Sequence, residues 1–175
     1  MDTPTKIALI SDTHNLLRPE VYPLLENVST ILHIGDVGTE AVLNSLNEYA
    51  PTYTVRGNVD RGPWAEKLPV SYGIQVGKWQ INMIHIKEEW SQYASRHPIP
   101  HILLVGHSHK PTFMREGKIC LINPGSAGRR RFNLPITMAS LELTDEQAVY
   151  KLYDLAAEGK IIQMEKLSFW DVSSI

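Results

Sequence analysis

The sequence predicts an α/β fold, a four-layer α/β/β/α sandwich of two mixed sheets with helices on both outer faces. Three observations predict it. The first half alternates short apolar runs with helical patterns, as a parallel sheet covered by helices does. The second half is dominated by strand-like segments joined by short turns. The 175 residues, 43% hydrophobic and 21% charged, suffice for one sizeable core, so residues 1–175 read as a single domain.

The elements follow in order. KIALIS is an apolar run ending in Asp12-Thr13-His14-Asn15. PEVYPLLENV reads as a helix opening at Pro19, with Pro23 either in its first turn or interrupting it. TILHI is a second strand and ends at Gly35-Asp36. TEAVLNSLNEYA places Ala41, Val42, Leu46 and Tyr49 at helical spacing, with Thr39 positioned as its cap. TYTV is a third strand, ending in RGNVDRG. SYGIQVGKWQINMIHI reads as a hairpin about Gly77-Lys78, KEEWSQYASR as a helix and HILLV as a buried strand. TFMREGKICLIN is a hairpin turning at Glu116-Gly117. ITMASLEL and AVYKLYDL flank the turn Thr144–Glu146, and KIIQMEKL follows Gly159 as a last strand. That makes about ten strands and three or four helices, with no repeat, low-complexity segment or long linker.

Bulk properties exclude several classes. A net charge of −2 offers no basic excess to neutralise a nucleic-acid backbone, so nucleic acid is not an expected partner. The exception is local, Arg129-Arg130-Arg131. One cysteine, Cys120 in the apolar run KICLIN, rules out an internal disulfide and a thiolate zinc site and reads as a small buried hydrophobe. No segment has the length of an apolar membrane span, no secretory leader is evident, and the expected location is the cytoplasm.

The chemistry lies at the strand ends. Asp12 and His14, Asp36, Asn58 and Asp60, His85, and His107 and His109 each follow an apolar strand. In open α/β sheets the carboxyl ends of parallel strands converge where sites are built. Carboxylate and neutral imidazole suit manganese, iron, zinc and nickel without any thiolate. The spacing of Asp12 with His14, and of His107 with His109, lets both members of each pair turn toward one point. Asp36 follows Gly35, which permits a sharp turn close to the site, and its two oxygens can bridge two cations. Seven candidate ligands exceed the needs of one tetrahedral ion and suit two ions sharing a bridging group.

The ordered set DTH, GD, GNVD, IH and GHSH, with NPGS at 123–126, resembles the calcineurin-like metallophosphoesterases, and in its short length their small bacterial and archaeal phosphodiesterase branch. The resemblance runs from about Lys6 to Ser126. It implies that Asp12, His14 and His109 hold one divalent metal, that Asn58, His85 and His107 hold a second, and that Asp36 bridges them. Manganese is the foremost candidate for both ions. It further implies hydrolysis of phosphate esters by a metal-bridging hydroxide, with ions about 3.5–4 Å apart and the Asn58 amide stabilising charge on the phosphoryl oxygens. The expected substrate is a small phosphate ester, more naturally a diester than a phosphoprotein. The same fold serves as a protein-interaction scaffold in the retromer subunit, which is the alternative reading. The intact set of seven ligands favours the enzyme.

Two departures from the family pattern matter. Where many members carry a histidine after the asparagine of the G-N motif, this chain has Val59, so leaving-group protonation must come from elsewhere or leaving groups must be good ones; alkyl esters are expected to turn over slowly. After His85 the usual glycine and histidine are replaced by Ile86-Lys87, and Lys87, Glu88 and Glu89 either line the site rim or are solvated residues at a helix start. Asp60 reads as orienting a ligand or capping its own turn, Asn15 as a helix cap, and His33 as a buried structural histidine. One arginine of GRRR, taken as Arg129, is a candidate for substrate phosphate. His97 and His101 read as surface residues, and Trp64, Trp79, Trp90 and Trp170 as packing residues. The apolar tail LSFWDVSSI packs either on this chain or on a second copy in a homo-oligomer.

Overall fold

The computed structural model describes residues 3–173. In chain order the strands are β1 (Thr5–Ile10), β2 (Thr30–His33), β3 (Thr52–Thr54), β4 (Ser71–Val76), β5 (Trp79–Ile84), β6 (Ile102–Leu104), β7 (Thr112–Glu116), β8 (Ile119–Asn123), β9 (Thr137–Leu143), β10 (Gln147–Asp154) and β11 (Lys160–Ser168). The helices are α1 (Glu40–Asn47), α2 (Pro63–Glu66), α3 (Trp90–Tyr93) and α4 (Phe169–Ser173). One sheet has the order β11-β10-β9-β1-β2-β3 and the other β4-β5-β6-β8-β7. Both are mixed. β1, β2 and β3 run parallel, as do β5, β6 and β8, while the remaining pairings are antiparallel.

Alternation along the strands builds three apolar layers. On β1, Ile7 and Leu9 face the second sheet while Ala8 and Ile10 face the helices. The β6 strand does the same, with Ile102 and Leu104 in the inter-sheet core and Leu103 turned outward under Trp90 and Tyr93. Side chains alternate sides with a period of two, so both faces of these parallel strands are covered. The outer layers are α1 with the 3-10 turn Pro19–Leu25 on one side, and the segment 87–96 on the other. This is the predicted sandwich.

Several local expectations are corrected. The segment at Pro19 is a seven-residue 3-10 helix rather than an α-helix. Pro23, inside it, has no N–H to donate and would collide with the carbonyl four residues back in an α-turn. On α1 the buried residues are Val42, Leu43 and Leu46, whereas Ala41 and Tyr49 are exposed; Tyr49 instead stacks on Tyr22, ring centroids 5.4 Å apart. Thr39 has extended cap geometry but makes no side-chain cap bond. The single helix expected over 87–96 is one α-helical turn, α3, between two 3-10 turns, and His97 stacks on Trp90 and bonds Ser71 Oγ at 2.9 Å to close it off. The β7–β8 turn residues are Gly117-Lys118, one step beyond the reading.

His97 and His101 are half-buried rather than surface residues. His101 Nδ1 accepts the Gln80 N–H at 2.9 Å and its ring packs edge-on to Trp79. Trp79 is fully buried, but Trp170 is 66% exposed. In the tail, Leu167, Phe169 and Val172 join the inter-sheet core of the chain itself, and Ser174 and Ile175 lie outside the described residues. Cys120 is buried between the sheets, and burial pushes its thiol up to about 12. No helix among the described residues is long and apolar enough to cross a membrane.

Candidate metal centre

The parallel strands of both sheets end at the same edge. β1, β2 and β3 deliver Asp12 and His14, Asp36, and Asn58; β5 and β6 deliver His85, and His107 and His109. Six of the seven residues form two groups, and Asn58 stands beside the second. In the first, the ligand atoms of Asp12, His14 and His109 converge, and in the second those of Asp36, His85 and His107. Each group draws on both sheets.

In the first group His109 Nε2 lies 3.1 Å from Asp12 Oδ1, His14 Nε2 lies 3.8 Å from the same oxygen, and the two Nε2 atoms are 3.3 Å apart. Donors about 2.0–2.2 Å from one tetrahedral cation are separated by roughly 3.4 Å, so the spacing suits a shared ion. Asp12 is fully buried. Its Oδ2 accepts Ser11 Oγ at 2.6 Å and the His107 backbone N–H at 3.2 Å, while its Oδ1 has no hydrogen bond. A buried carboxylate oxygen without a donor is costly unless a cation meets it. The orphaned oxygen faces the two imidazoles, where a divalent ion fits.

In the second group His85 Nε2 lies 3.3 Å from Asp36 Oδ2 and 3.1 Å from Asn58 Oδ1, and His107 Nδ1 lies 3.0 Å from Asn58 Oδ1. His85 donates Nδ1–H to the Ile34 carbonyl at 2.7 Å, which leaves the Nε2 lone pair aimed inward. Asp36 has one oxygen fixed, Oδ1 accepting the Val59 N–H at 3.0 Å. Its other oxygen, Oδ2, is 3.3 Å from His85 Nε2 and 3.9 Å from His14 Nε2, so it stands between the two groups. Burial opposes ionisation of Asp36, but the contact with His85, the Val59 N–H and His14 outweigh it and hold the carboxyl down at about 2. Burial likewise works against charge on His85, and Asp36 and Asp12 overcome it, raising its pKa.

The backbone explains why these residue types stand here. Asp12, His14, Asp36, His107 and His109 all have φ between 45° and 66°, as do few non-glycine residues. Asp and His tolerate this left-handed region better than most, and such conformations persist where the surrounding contacts fix them. Gly35 has φ +85°, and a Cβ there would lie 2.7 Å from His85 Nδ1, so only glycine lets β2 turn beneath that ring.

The supporting residues resolve as follows. Asp60, 2% exposed, accepts the Gly57 N–H at 2.8 Å and the Gly38 N–H at 2.9 Å; it caps its own turn and ties the Asn58 loop to the Asp36 loop. Asn15 caps no helix; its backbone N–H bonds the Val37 carbonyl at 3.0 Å, and it sits at φ 70°. His33 is fully buried and bonded to Thr13 Oγ1 at 3.0 Å. Asn123 and Ser126 hold the site from beneath, which the sequence reading noted only as a motif match. Asn123 Nδ2 donates to the Gly106 carbonyl at 2.8 Å and to Ser108 Oγ at 3.0 Å, and Ser126 Oγ to the Asp12 carbonyl at 2.9 Å. Arg129 is exposed on the loop beyond, and the guanidinium whose charge is felt at His14 belongs to Arg131.

Two clefts flank the centre. One of about 410 Å³ opens beside Asn58 and His85 and carries Arg56, Arg61, Glu89 and Tyr93. The other, about 230 Å³, lies beside His107 and carries Lys87, Glu88 and Met114. Lys87, Glu88 and Glu89 thus do reach the rim, on two sides of it, and Lys87 is paired with Glu116 at 2.6 Å.

Residues 5–146 match the calcineurin-like phosphoesterase superfamily domain. A probable metallophosphoesterase of Methanothermobacter thermautotrophicus is 30% identical over 143 residues, 75% of this chain and 83% of that one. Among solved structures, Vacuolar Protein Sorting 29 from Cryptosporidium parvum superposes with a TM-score of 0.80 at 22% identity, covering 95% of this chain and all of that one. A conserved uncharacterized protein of Streptococcus pneumoniae, described as a predicted phosphoesterase, gives 0.72 at 22% identity over 96% and 99% of the two chains. By the family match over most of its length, the chain belongs to the calcineurin-like phosphoesterase superfamily.

Proposed function

We propose that the protein is a two-metal phosphoesterase acting on small phosphate esters, with diesters as its main class. The observation that carries this is Asp36 Oδ2, which stands 3.3 Å from one ligand group and 3.9 Å from the other. In this reading Asp12, His14 and His109 hold one ion, Asn58, His85 and His107 the other, and Asp36 both. Bound there, the ions would supply Lewis acidity toward phosphoryl oxygens and a water of lowered pKa, and manganese, iron, zinc and nickel all suit the donor set.

The chain's own residues do the rest. Asp36 stays ionised at neutral pH and is therefore available as a ligand. His85 is fixed in one tautomer by Ile34, and Asn58, exposed at the mouth, presents its amide to incoming substrate. At position 59 the side chain is apolar and 44% exposed, while the backbone N–H anchors Asp36. No proton donor for the leaving group stands there, which favours aryl and other good leaving groups. Arg129 remains a candidate for contact with substrate phosphate at the edge of the site. With one buried cysteine and no disulfide, the chemistry suits the cytoplasm.

A scaffold of the retromer-subunit type is the second reading, favoured by the likeness of the fold to Vacuolar Protein Sorting 29. The test is to purify the protein, measure bound metal, and assay bis-aryl and mono-aryl phosphates with added manganese for wild type and Asp36→Asn. The expected result is turnover by wild type and a loss of at least about 10²-fold in the variant, the scale of removing one group that stabilises the transition state. Absence of turnover across several metals, with no dependence on Asp36, gives the function to the scaffold.

A further inference from the structure

Three arginines stand at one side of the metal centre with nothing to neutralise them. The loop that carries them is seated on the first ligand group. The Ala127 N–H bonds the Ser11 carbonyl at 3.0 Å, and Arg18 Nε donates to the Gly128 carbonyl at 2.8 Å. A Cβ on Gly128 would come within 2.3 Å of the Thr13 carbonyl oxygen and 2.7 Å of that of Asp12. The loop backbone therefore lies directly on the Asp12–His14 turn, and the residues after it start from a fixed point.

Arg129, Arg130 and Arg131 are all exposed, and their guanidinium groups make no hydrogen bond or ion pair with any described residue. Phe132, next in line, is 91% exposed and held at φ 52°. This is not how a loop closes over a core, since its largest apolar side chain is left outside. Arg131 is the one of the three whose charge reaches His14, so the cluster stands beside the first group, as the seating of its loop on the Asp12–His14 turn requires.

Resting on the phosphoesterase reading, we infer that Arg131, supported by Arg129 and Arg130, binds a second, non-scissile phosphate of the substrate, with Phe132 offering a ring face to the group that carries it. The argument is one of charge. A scissile diester carries a single negative charge, and two divalent cations with the Asn58 amide already meet it. Three further unpaired cations exceed what that phosphate needs. Guanidinium is the side chain that matches phosphate oxygens in a bidentate fork, and exposed aromatic rings stack on planar groups. The substrate class is then a phosphodiester bearing another phosphate on its non-leaving arm, as in nucleotide-like compounds. The cleft at Arg56 lies on the other side of the centre, where the leaving arm would emerge.

The test uses two 4-nitrophenyl esters of a nucleoside 5′-phosphate, alike in leaving group and scissile bond, with the 3′-hydroxyl free in one and phosphorylated in the other. Wild type, Arg131→Gln and Lys118→Gln are compared as manganese-loaded protein. Lys118 lies in the distant β7–β8 turn and controls for net charge. The 3′-phosphate is expected to raise kcat/KM about fivefold through KM, the upper end for an exposed ion pair. Arg131→Gln should abolish that advantage, so that the two esters then share one kcat/KM, and Lys118→Gln should preserve it. In parallel, binding of inorganic tripolyphosphate to metal-free protein is measured by calorimetry for the same three proteins. Weaker binding by Arg131→Gln alone supports the inference even where no ester is turned over, in which case only the catalytic reading fails. Equal kcat/KM for the two esters in wild type, or equal tripolyphosphate binding by wild type and Arg131→Gln, overturns it.

Discussion

At the scale of single residues the site is a set of side chains whose backbones would be uncomfortable elsewhere. Five of the seven candidate ligands sit in the left-handed region. The residue types were legible because Asp, His and Asn are both ligands and the non-glycine residues that best tolerate positive φ. The conformation itself was not, since it is imposed by contacts from other strands. His33 shows a second residue-scale effect. Thr13 Oγ1 gives its own hydrogen to the Val37 carbonyl at 2.9 Å, so His33 must donate Nε2–H to it, and the buried Nδ1 is left as a bare acceptor with no partner. Protonating Nδ1 would bury an unpaired N–H and a charge, and burial accordingly lowers the pKa from 6.5 to about 4 despite nearby Asp60 and Asp12. In the unfolded chain the ring binds a proton below about 6.5 that the folded ring refuses. Stability is therefore fully present above pH 6.5 and falls as the pH drops toward 4, by up to about 3 kcal/mol. Urea unfolding in chelator from pH 7 to 4.5 should show a shallower pH profile for His33→Gln, whose amide keeps the donor to Thr13; parallel profiles would remove His33 as the cause.

At the scale of elements, the question is what holds five strand ends to a common geometry. Asp60 bears most directly on it, because one carboxylate receives N–H groups from two different loops, Gly57 beside Asn58 and Gly38 beyond Asp36. Replacement by Asn keeps the volume but turns one acceptor into a donor, which then meets an N–H head on. At 2% exposure neither group is rescued by water. Asp60→Asn should cost about 1–3 kcal/mol for the buried N–H left unpaired. It should also weaken metal binding about 10–100-fold, as loss of ligand-orienting contacts does. Thermal unfolding and metal titration check the two effects, and wild-type metal affinity in a folded variant would show that the loops find their positions without this tie. From sequence, GNVD left Asp60 balanced between orienting a ligand and capping its own turn, because the Gly38 N–H it accepts comes from another element. Helices were the least legible elements for a related reason. The breaks in 87–96 depend on His97 stacking on Trp90 and bonding Ser71, and the 3-10 form at Pro19 depends on where Pro23 falls. The strands were read almost to the residue, since burial on one or both faces writes a period of two, or an unbroken apolar run, into the sequence.

At the scale of the molecule, the order of strands was not written in the sequence, yet it decides what the site does to the fold. The reading gathered the strand ends at one edge but could not assign them to sheets. In the structure each ligand group takes members from both: Asp12 and His14 against His109, and Asp36 and Asn58 against His85 and His107. The two sheets otherwise touch through the apolar layer between them, and the edge where the ligands meet is instead lined by buried polar atoms such as the orphaned Asp12 Oδ1. A divalent ion in either group would join the two sheets where that layer ends, so binding belongs to the folded state and not to the unfolded chain. At a free-metal concentration a hundred times the dissociation constant, one such site adds about 2.7 kcal/mol. For a chain of this length that corresponds to a rise in Tm of roughly 5–10 °C. Scanning calorimetry of wild type with manganese against wild type in chelator should show a shift of that size, and Asp36→Asn, which removes the oxygen common to both groups, should lose most of it, while its Tm in chelator falls below the wild-type value because the carboxylate charge that His85 and His14 favour is gone. An unchanged wild-type Tm with saturating metal would mean that the ligand edge contributes nothing to holding the sheets together, and that the core alone sets the stability of the sandwich.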